Sequence, residues 1–211
     1  MKKENNLIVN RFLVGPLGVN CYVLADAVTK EACLVDPGAE PEKIEAYIVK
    51  QGFDPKFIIN THGHGDHIAA NGYFSLPVYI HRLDAPLLGD PERNISAAML
   101  FPVVSPPASR LLEDGDKIKL GLLTLDIIHT PGHTEGSISI KVDGVIFTGD
   151  TLFNASIGRT DLDGGDENAI LRSISEKLLI YSDDTVIYPG HGEASTIGRE
   201  RKSNPFLGDQ V

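Results

Sequence analysis

The sequence predicts an α/β fold (α+β in some schemes) in which two β-sheets are covered by helices. Three observations carry this. Short apolar strand-like runs alternate with amphipathic helical stretches. A succession of strands, helix, strand and polar loop occurs once in each half, without visible identity between the halves. Twenty-one glycines and thirteen prolines are spread through 211 residues without a period, as tight turns between short elements require. Sheets packed face to face with helices outside are the simplest layered answer. The length suits a single domain spanning 1–211.

The first half should open with strands at 11–14, 21–25 and 32–35. A helix over 41–51 follows: Ile44, Tyr47 and Ile48 share a face, Pro41 suits the first turn and Gly52 the end. A buried strand over 56–60 leads into a histidine-rich loop, and a helix over 66–74 opens after it. A strand at 77–80 and a helical piece at 84–88 come next. Residues 89–110 carry several prolines and little periodicity, and read as a surface excursion with a helical turn around 97–100. Further strands are expected at 117–120, 122–128, 137–142 and 145–148, the last two joined by an Asp143-Gly144 hairpin turn. Ile170, Ile174 and Leu178, spaced by four, mark an amphipathic helix over 168–181. The last expected strand is 185–188.

Composition narrows the function. Nineteen Lys and Arg against twenty-nine Asp and Glu give a formal charge of −10, which repels phosphate backbones and argues against a nucleic-acid partner. No apolar run approaches a membrane span, and the run at 7–9 is too short for a signal-peptide core, so the expected location is the cytoplasm. Cys21 and Cys33, outside any CxxC pair, read as small buried residues.

The chemistry concentrates in His62-Gly63-His64-Gly65-Asp66-His67. Two histidines two apart in extended backbone point the same way, and the following Asp66 and His67 open a helix. Three more candidates lie beside glycine at strand ends: His133 after Pro131-Gly132, Asp150 after Gly149 and His191 after Pro189-Gly190. Imidazole and carboxylate donors suit zinc, iron or manganese. Two metals need about seven protein ligands, and seven are present. His81 and His129 remain as packed or hydrogen-bonded residues, with support of a ligand as the alternative for His129.

The segments Thr61-His62-Gly63-His64-Gly65-Asp66-His67, Pro131-Gly132-His133-Thr134, Thr148-Gly149-Asp150-Thr151 and Tyr188-Pro189-Gly190-His191-Gly192 resemble the metallo-β-lactamase superfamily. Ile157-Gly158-Arg159-Thr160-Asp161 and Thr196-Ile197-Gly198 make the chain most similar to short glyoxalase II-like hydrolases, and the likeness runs from Asn20 to Pro205. The resemblance implies an αββα four-layer sandwich with the site at one edge. It assigns His62, His64 and His133 to one metal, Asp66, His67 and His191 to a second, and Asp150 to both, with a hydroxide between them as nucleophile. Asp66 would orient that hydroxide or receive a proton.

One departure stands out. The Gly-Cys-Gly-Lys/Arg stretch of full-length glyoxalase II is replaced by Ser156-Ile157-Gly158-Arg159, and no C-terminal glutathione-binding helical domain is expected in 1–211. Arg159 is a candidate for a substrate carboxylate, or a loop residue paired with Asp161. The implied activity is hydrolysis of a small-molecule thioester, an S-2-hydroxyacyl thiol such as S-lactoylglutathione, with two divalent ions, zinc before iron or manganese. The competing reading is a mono-iron persulfide dioxygenase using His62, His133 and Asp150. Its relatives resemble Tyr-Pro-Ala-His-Asp where this chain has Tyr188-Pro189-Gly190-His191-Gly192. A non-catalytic metal scaffold would not need all seven ligands.

Overall fold

The computed structural model describes residues 6–99 and 101–208. The first sheet holds six strands in sequential order: β1 (Leu7–Val14), β2 (Val19–Asp26), β3 (Glu31–Val35), β4 (Asp54–Ile59), β5 (Val78–His81) and β6 (Arg110–Leu112). β1 to β3 pair antiparallel, and β3 to β6 pair parallel. Helix α1 (Pro41–Gln51) makes the crossover between β3 and β4. Two short helices, α2 (Gly65–Ile68) and α3 (Asn71–Phe74), follow β4.

The second sheet contains β7 (Lys117–Leu120), β8 (Leu123–His129), β9 (Ile138–Val142) and β10 (Val145–Gly149). A two-residue-arm hairpin, β11 (Leu152–Phe153) and β12 (Ser156–Ile157), comes next. Helix α4 (Glu167–Ser173), strands β13 (Val186–Pro189) and β14 (Ser195–Thr196), and helix α5 (Ile197–Ser203) complete the chain. The order across this sheet is β14-β13-β10-β9-β8-β7, with β13 parallel to β10.

Alternation along the strands dictates the layering. All of β2 is buried: Val19, Cys21, Val23 and Ala25 pack with Ile44 and Ile48 of α1, while Tyr22 and Leu24 face the second sheet. Ile118, Leu125, Ile127, Ile140 and Phe147 supply the opposite side of that inter-sheet core. Behind the second sheet, Ile146 and Ile187 meet Ile170, Ile174, Leu178 and Ile197. The result is α/β/β/α, the expected sandwich. Both cysteines are free and buried within it, and burial pushes both thiols well up.

The structure differs from the sequence reading in four places. The helix expected over 66–74 breaks at Ala70, whose N–H bonds Pro37 O at 2.9 Å, and Asn71 is buried against Asn60 and Ser105. The helix expected over 168–181 widens after α4 into a π turn at Ile174–Leu178, which lets the adjacent Leu178 and Leu179 both be buried. The 89–110 stretch is partly interior. Asn94, Ser96 and Ser105 are buried, a 3-10 turn spans Ser96–Met99, and Leu100 lies outside the described residues. Finally, β6, β14, α5 and the β11–β12 hairpin carry too little periodicity to be read in advance.

Tyr22, Phe147 and Tyr188 lock the two sheets together. The Phe147 ring lies 5.0 Å edge-on from Tyr22 and 5.2 Å, stacked, from Tyr188, with Phe147 wholly buried. Phe147→Ala should cost about 3–5 kcal/mol of unfolding free energy, measured by urea denaturation.

Candidate metal centre

Five strands end on one rim of the sandwich. β3 runs into Asp36, β4 into His62 and His64, β8 into His133, β10 into Asp150 and β13 into His191. Polar residues at strand ends escape the alternation that buries apolar side chains, and loops there converge from both sheets. All seven sequence-predicted ligands meet at this rim.

They form two overlapping groups. The donor atoms of His62, His64 and His133 lie within 4.8 Å of one another, and so do those of Asp66, His67 and His191. His62 and His67, from different groups, have ring centroids 4.2 Å apart. Asp150 touches both: its carboxylate is 3.6 Å from His133 Nε2, 3.6 Å from His67 Nε2 and 3.5 Å from His191 Nε2.

Hydrogen bonds on the outer ring nitrogens set the tautomers. His133 Nδ1 donates to Arg159 O at 2.8 Å, His67 Nδ1 to Asp36 Oδ2 at 3.1 Å, and His191 Nδ1 to Leu17 O at 3.2 Å. Thr61 Oγ1 gives its proton to Asp36, so it accepts from His62 Nδ1 at 3.2 Å. With Nδ1 so occupied, each of these four rings turns its Nε2 inward, the nitrogen left for a ligand. His64 differs, with its Nδ1 facing His133 Nε2 at 2.9 Å.

The electrostatics of the cluster are those of a cation site. Burial, then the neighbouring His67 and His133, pushes the His62 pKa well down, and burial with His133 lowers that of His64 to about 3. For His67 burial opposes charge, but Asp150, Asp66 and Asp36 outweigh it and raise the pKa to about 10. Burial also opposes ionisation of Asp66, yet His67, His191 and His64 hold it well below the ordinary carboxylate range. Two inward donors, His62 Nε2 and Asp150 Oδ1, are buried with no hydrogen-bond partner among the described residues. A buried carboxylate oxygen without a hydrogen bond is costly. Cations bound by these groups would satisfy both atoms, so the residues fit a two-metal site.

Two carboxylates missed from the sequence hold the loops in register. Asp36 accepts from Thr61 N at 2.7 Å, from Thr61 Oγ1 at 2.6 Å and from His67. It follows β3 in Val35-Asp36-Pro37-Gly38, the same strand-end pattern that marks Asp150. Asp84 accepts from Gly63 N at 2.8 Å, Thr134 Oγ1 at 2.7 Å and Gly136 N at 2.7 Å, tying the His62–His64 loop to the His133 loop. No motif announces it. Asn20 Nδ2 donates to Pro189 O and Gly192 O, and so clamps the turn that carries His191.

The cluster floors a cleft of about 380 Å³ whose other walls include Leu17, Ile95, Phe153, Ile157, Leu162 and Arg159. The Arg159 guanidinium is held by Asp161 through two 2.8 Å bonds. His81 and His129 stack on each other at 4.1 Å, outside the cluster, and His129 Nε2 bonds Glu135 O.

A model of the metallo-beta-lactamase superfamily matches residues 14–191. The chain belongs to this superfamily. Among members, it is 38% identical to the probable metallo-hydrolase YqgX of Bacillus subtilis, covering 93% of this chain and 96% of that one. It is 36% identical to the hydroxyacylglutathione hydrolase GloC of Haemophilus influenzae, covering 89% and 92%. The crystal structure of the BLEG-1 B3 metallo-beta-lactamase superposes with a TM-score of 0.91 at 39% identity, covering 95% and 100%. TTHA1623 in a di-iron-bound form gives 0.84 at 36%, covering 94% and 100%. ETHE1 from Myxococcus xanthus gives 0.81 at 25%, covering 95% and 85%. A hydrolase-superfamily fold and a His/Asp dinuclear metal site follow for this chain. Among the described residues no helix is long and apolar enough to cross a membrane.

Gly190 packs directly against the donor side chains: a Cβ there would overlap Asp150 Oδ1 and come within 2.9 Å of His67 Cε1. Gly190→Ala should therefore lower metal content by at least one ion per chain in elemental analysis, with the far-ultraviolet circular dichroism unchanged. Because His67 is protonated at neutral pH without metal, loading must displace that proton. Calorimetry at pH 7.5 in buffers of different ionisation enthalpy should show release of about one proton or more, and weaker binding at lower pH.

Proposed function

We propose that this chain is a dinuclear metal-dependent thioester hydrolase of glyoxalase II-like type, acting on S-2-hydroxyacyl thiols such as S-lactoylglutathione. The position of Asp150 carries the reading: its carboxylate lies within 3.6 Å of His133 in one donor group and of His67 and His191 in the other, as a shared ligand would. The choice of an acyl thiol is supported by similarity to the Haemophilus influenzae hydroxyacylglutathione hydrolase. We assign His62, His64 and His133 to one ion, Asp66, His67 and His191 to the other, and Asp150 to both. Zinc is the proposed metal, and the di-iron form of TTHA1623 makes iron its first competitor. A cytoplasmic, single-domain enzyme completes the reading.

Bound divalent ions supply Lewis acidity and lower the pKa of water towards neutrality. The chain's own residues then do the rest. Asp66, which lines the cleft with its carboxylate 3.5 Å from His191 Nε2, is placed to orient an attacking water. Leu17, Phe153, Ile157 and Leu162 keep bulk water from the reacting carbonyl. Arg159 reaches a substrate carboxylate only by sharing its guanidinium with Asp161.

The mono-iron dioxygenase alternative, through His62, His133 and Asp150, leaves His64, Asp66, His67 and His191 without a role. A panel of acyl thioesters, S-lactoylglutathione included, with glutathione persulfide alongside and protein of measured metal content, separates the two. Two metals per chain with thioester hydrolysis is the expected result. No turnover of any thioester by fully metallated protein overturns it, and one iron with oxygen uptake on the persulfide establishes the alternative.

A further inference from the structure

Seven non-glycine residues among those described have positive φ, and Ile95, at 62°, is the one with a β-branched side chain. Branching at Cβ makes that conformation particularly unfavourable, and glycine or asparagine would occupy it with less strain. The surrounding structure nevertheless fixes it. Asn94, buried, donates to Leu87 O and Val103 O at 3.0 Å each, and its side-chain oxygen accepts from Ser96 N and Ser96 Oγ. Ser96 Oγ accepts in turn from Val103 N at 2.8 Å. The Asn94 carbonyl takes the N–H of Gly65 at 2.8 Å, between His64 and Asp66. The turn is therefore registered against the histidine loop itself, and Ile95 lines the cleft beside His64, Asp66 and His133.

The cleft offers little to a charged carrier group. Its one guanidinium, Arg159, is already paired with Asp161, whereas Leu17, Phe153, Ile157 and Leu162 share the walls with Ile95. Strain retained at a residue that faces substrate space, and that a commoner residue would relieve, points to function.

We infer that Ile95 is a specificity-determining residue that packs against the acyl substituent of the substrate and selects large apolar substituents over methyl. The inference rests on the thioester reading and names its substrate class: 2-hydroxyacyl thiols with an aryl or extended alkyl group. Apolar contact in such a pocket discriminates by about 10-fold or more.

The test compares the S-mandeloyl and S-lactoyl thioesters of N-acetylcysteamine, one thiol carrying two acyl groups, on metal-loaded wild type, Ile95→Asn and Ile95→Val. Wild type should prefer the mandeloyl ester in kcat/KM. Ile95→Asn should lose about 10-fold on that ester and within 3-fold on the lactoyl ester, through KM. Ile95→Val should retain the preference. With the strain relieved, Ile95→Asn stripped of metal should melt no lower than wild type. Equal losses on both esters, no loss on either, or a lowered melting temperature in the metal-free protein would overturn the inference. If wild type hydrolyses neither ester, the acyl thioester panel decides the thioester reading separately, and binding decides the role of Ile95. Mandelate should then raise the melting temperature of metal-loaded wild type more than lactate does, with the difference gone in Ile95→Asn. Equal shifts in wild type count against it.

Discussion

Five imidazoles and two carboxylates withdrawn from water at one point form the constraint on which the rest of this structure depends. Desolvation alone would drive such groups neutral or apart. The fold answers with geometry. Strands from both sheets end at the same rim, and an oxygen acceptor stands behind the outer nitrogen of His62, His67, His133 and His191. Asp36 and Asp84 are buried for the same reason, each ionisable group being occupied by backbone and hydroxyl donors from the loops it joins. The core clusters hold the layers together, whereas these polar contacts decide where the loops stop.

Much of the site was legible because its residues break the rules of the elements around them. Polar side chains next to glycine just beyond the ends of apolar strands have no packing reason to be there, and His62, His64, Asp66, His133, Asp150 and His191 fit that description, with His67 directly after Asp66. The strands of the sandwich were legible through alternation, and Asp143-Gly144 through its turn chemistry, with φ values of 44° and 84°. Other features leave no such trace. Asp84 is a single carboxylate whose three partners are brought together only by folding. The break at Ala70 and the π turn before Leu179 answer to tertiary partners, Pro37 O in one case and a crowded apolar face in the other. Ile95 is the extreme case, since its identity argues against the backbone conformation it adopts.

The polar floor and the apolar walls of the cleft divide the work. The floor determines what bond is attacked, and it is built from residues whose spacing is rigid. The walls come from the turn before β2, the β11–β12 hairpin with the loop after it as far as Leu162, and the stretch around Ile95, three segments attached to different parts of the sandwich. A family that keeps one chemistry while changing substrate needs this arrangement, because wall residues can be exchanged without disturbing the donors.

The provenance of the donors has a consequence for assembly of the chain. Each group of three takes two residues from the loop after β4 in the first sheet and one from a loop of the second: His62 and His64 with His133, Asp66 and His67 with His191. A half-finished chain therefore presents neither complete group. Completing either group requires that both sheets have formed and docked. Once closed, each group sutures segments far apart in sequence, His67 and His191 being 124 positions apart. The catalytic floor then doubles as the fastening between the two halves of the molecule.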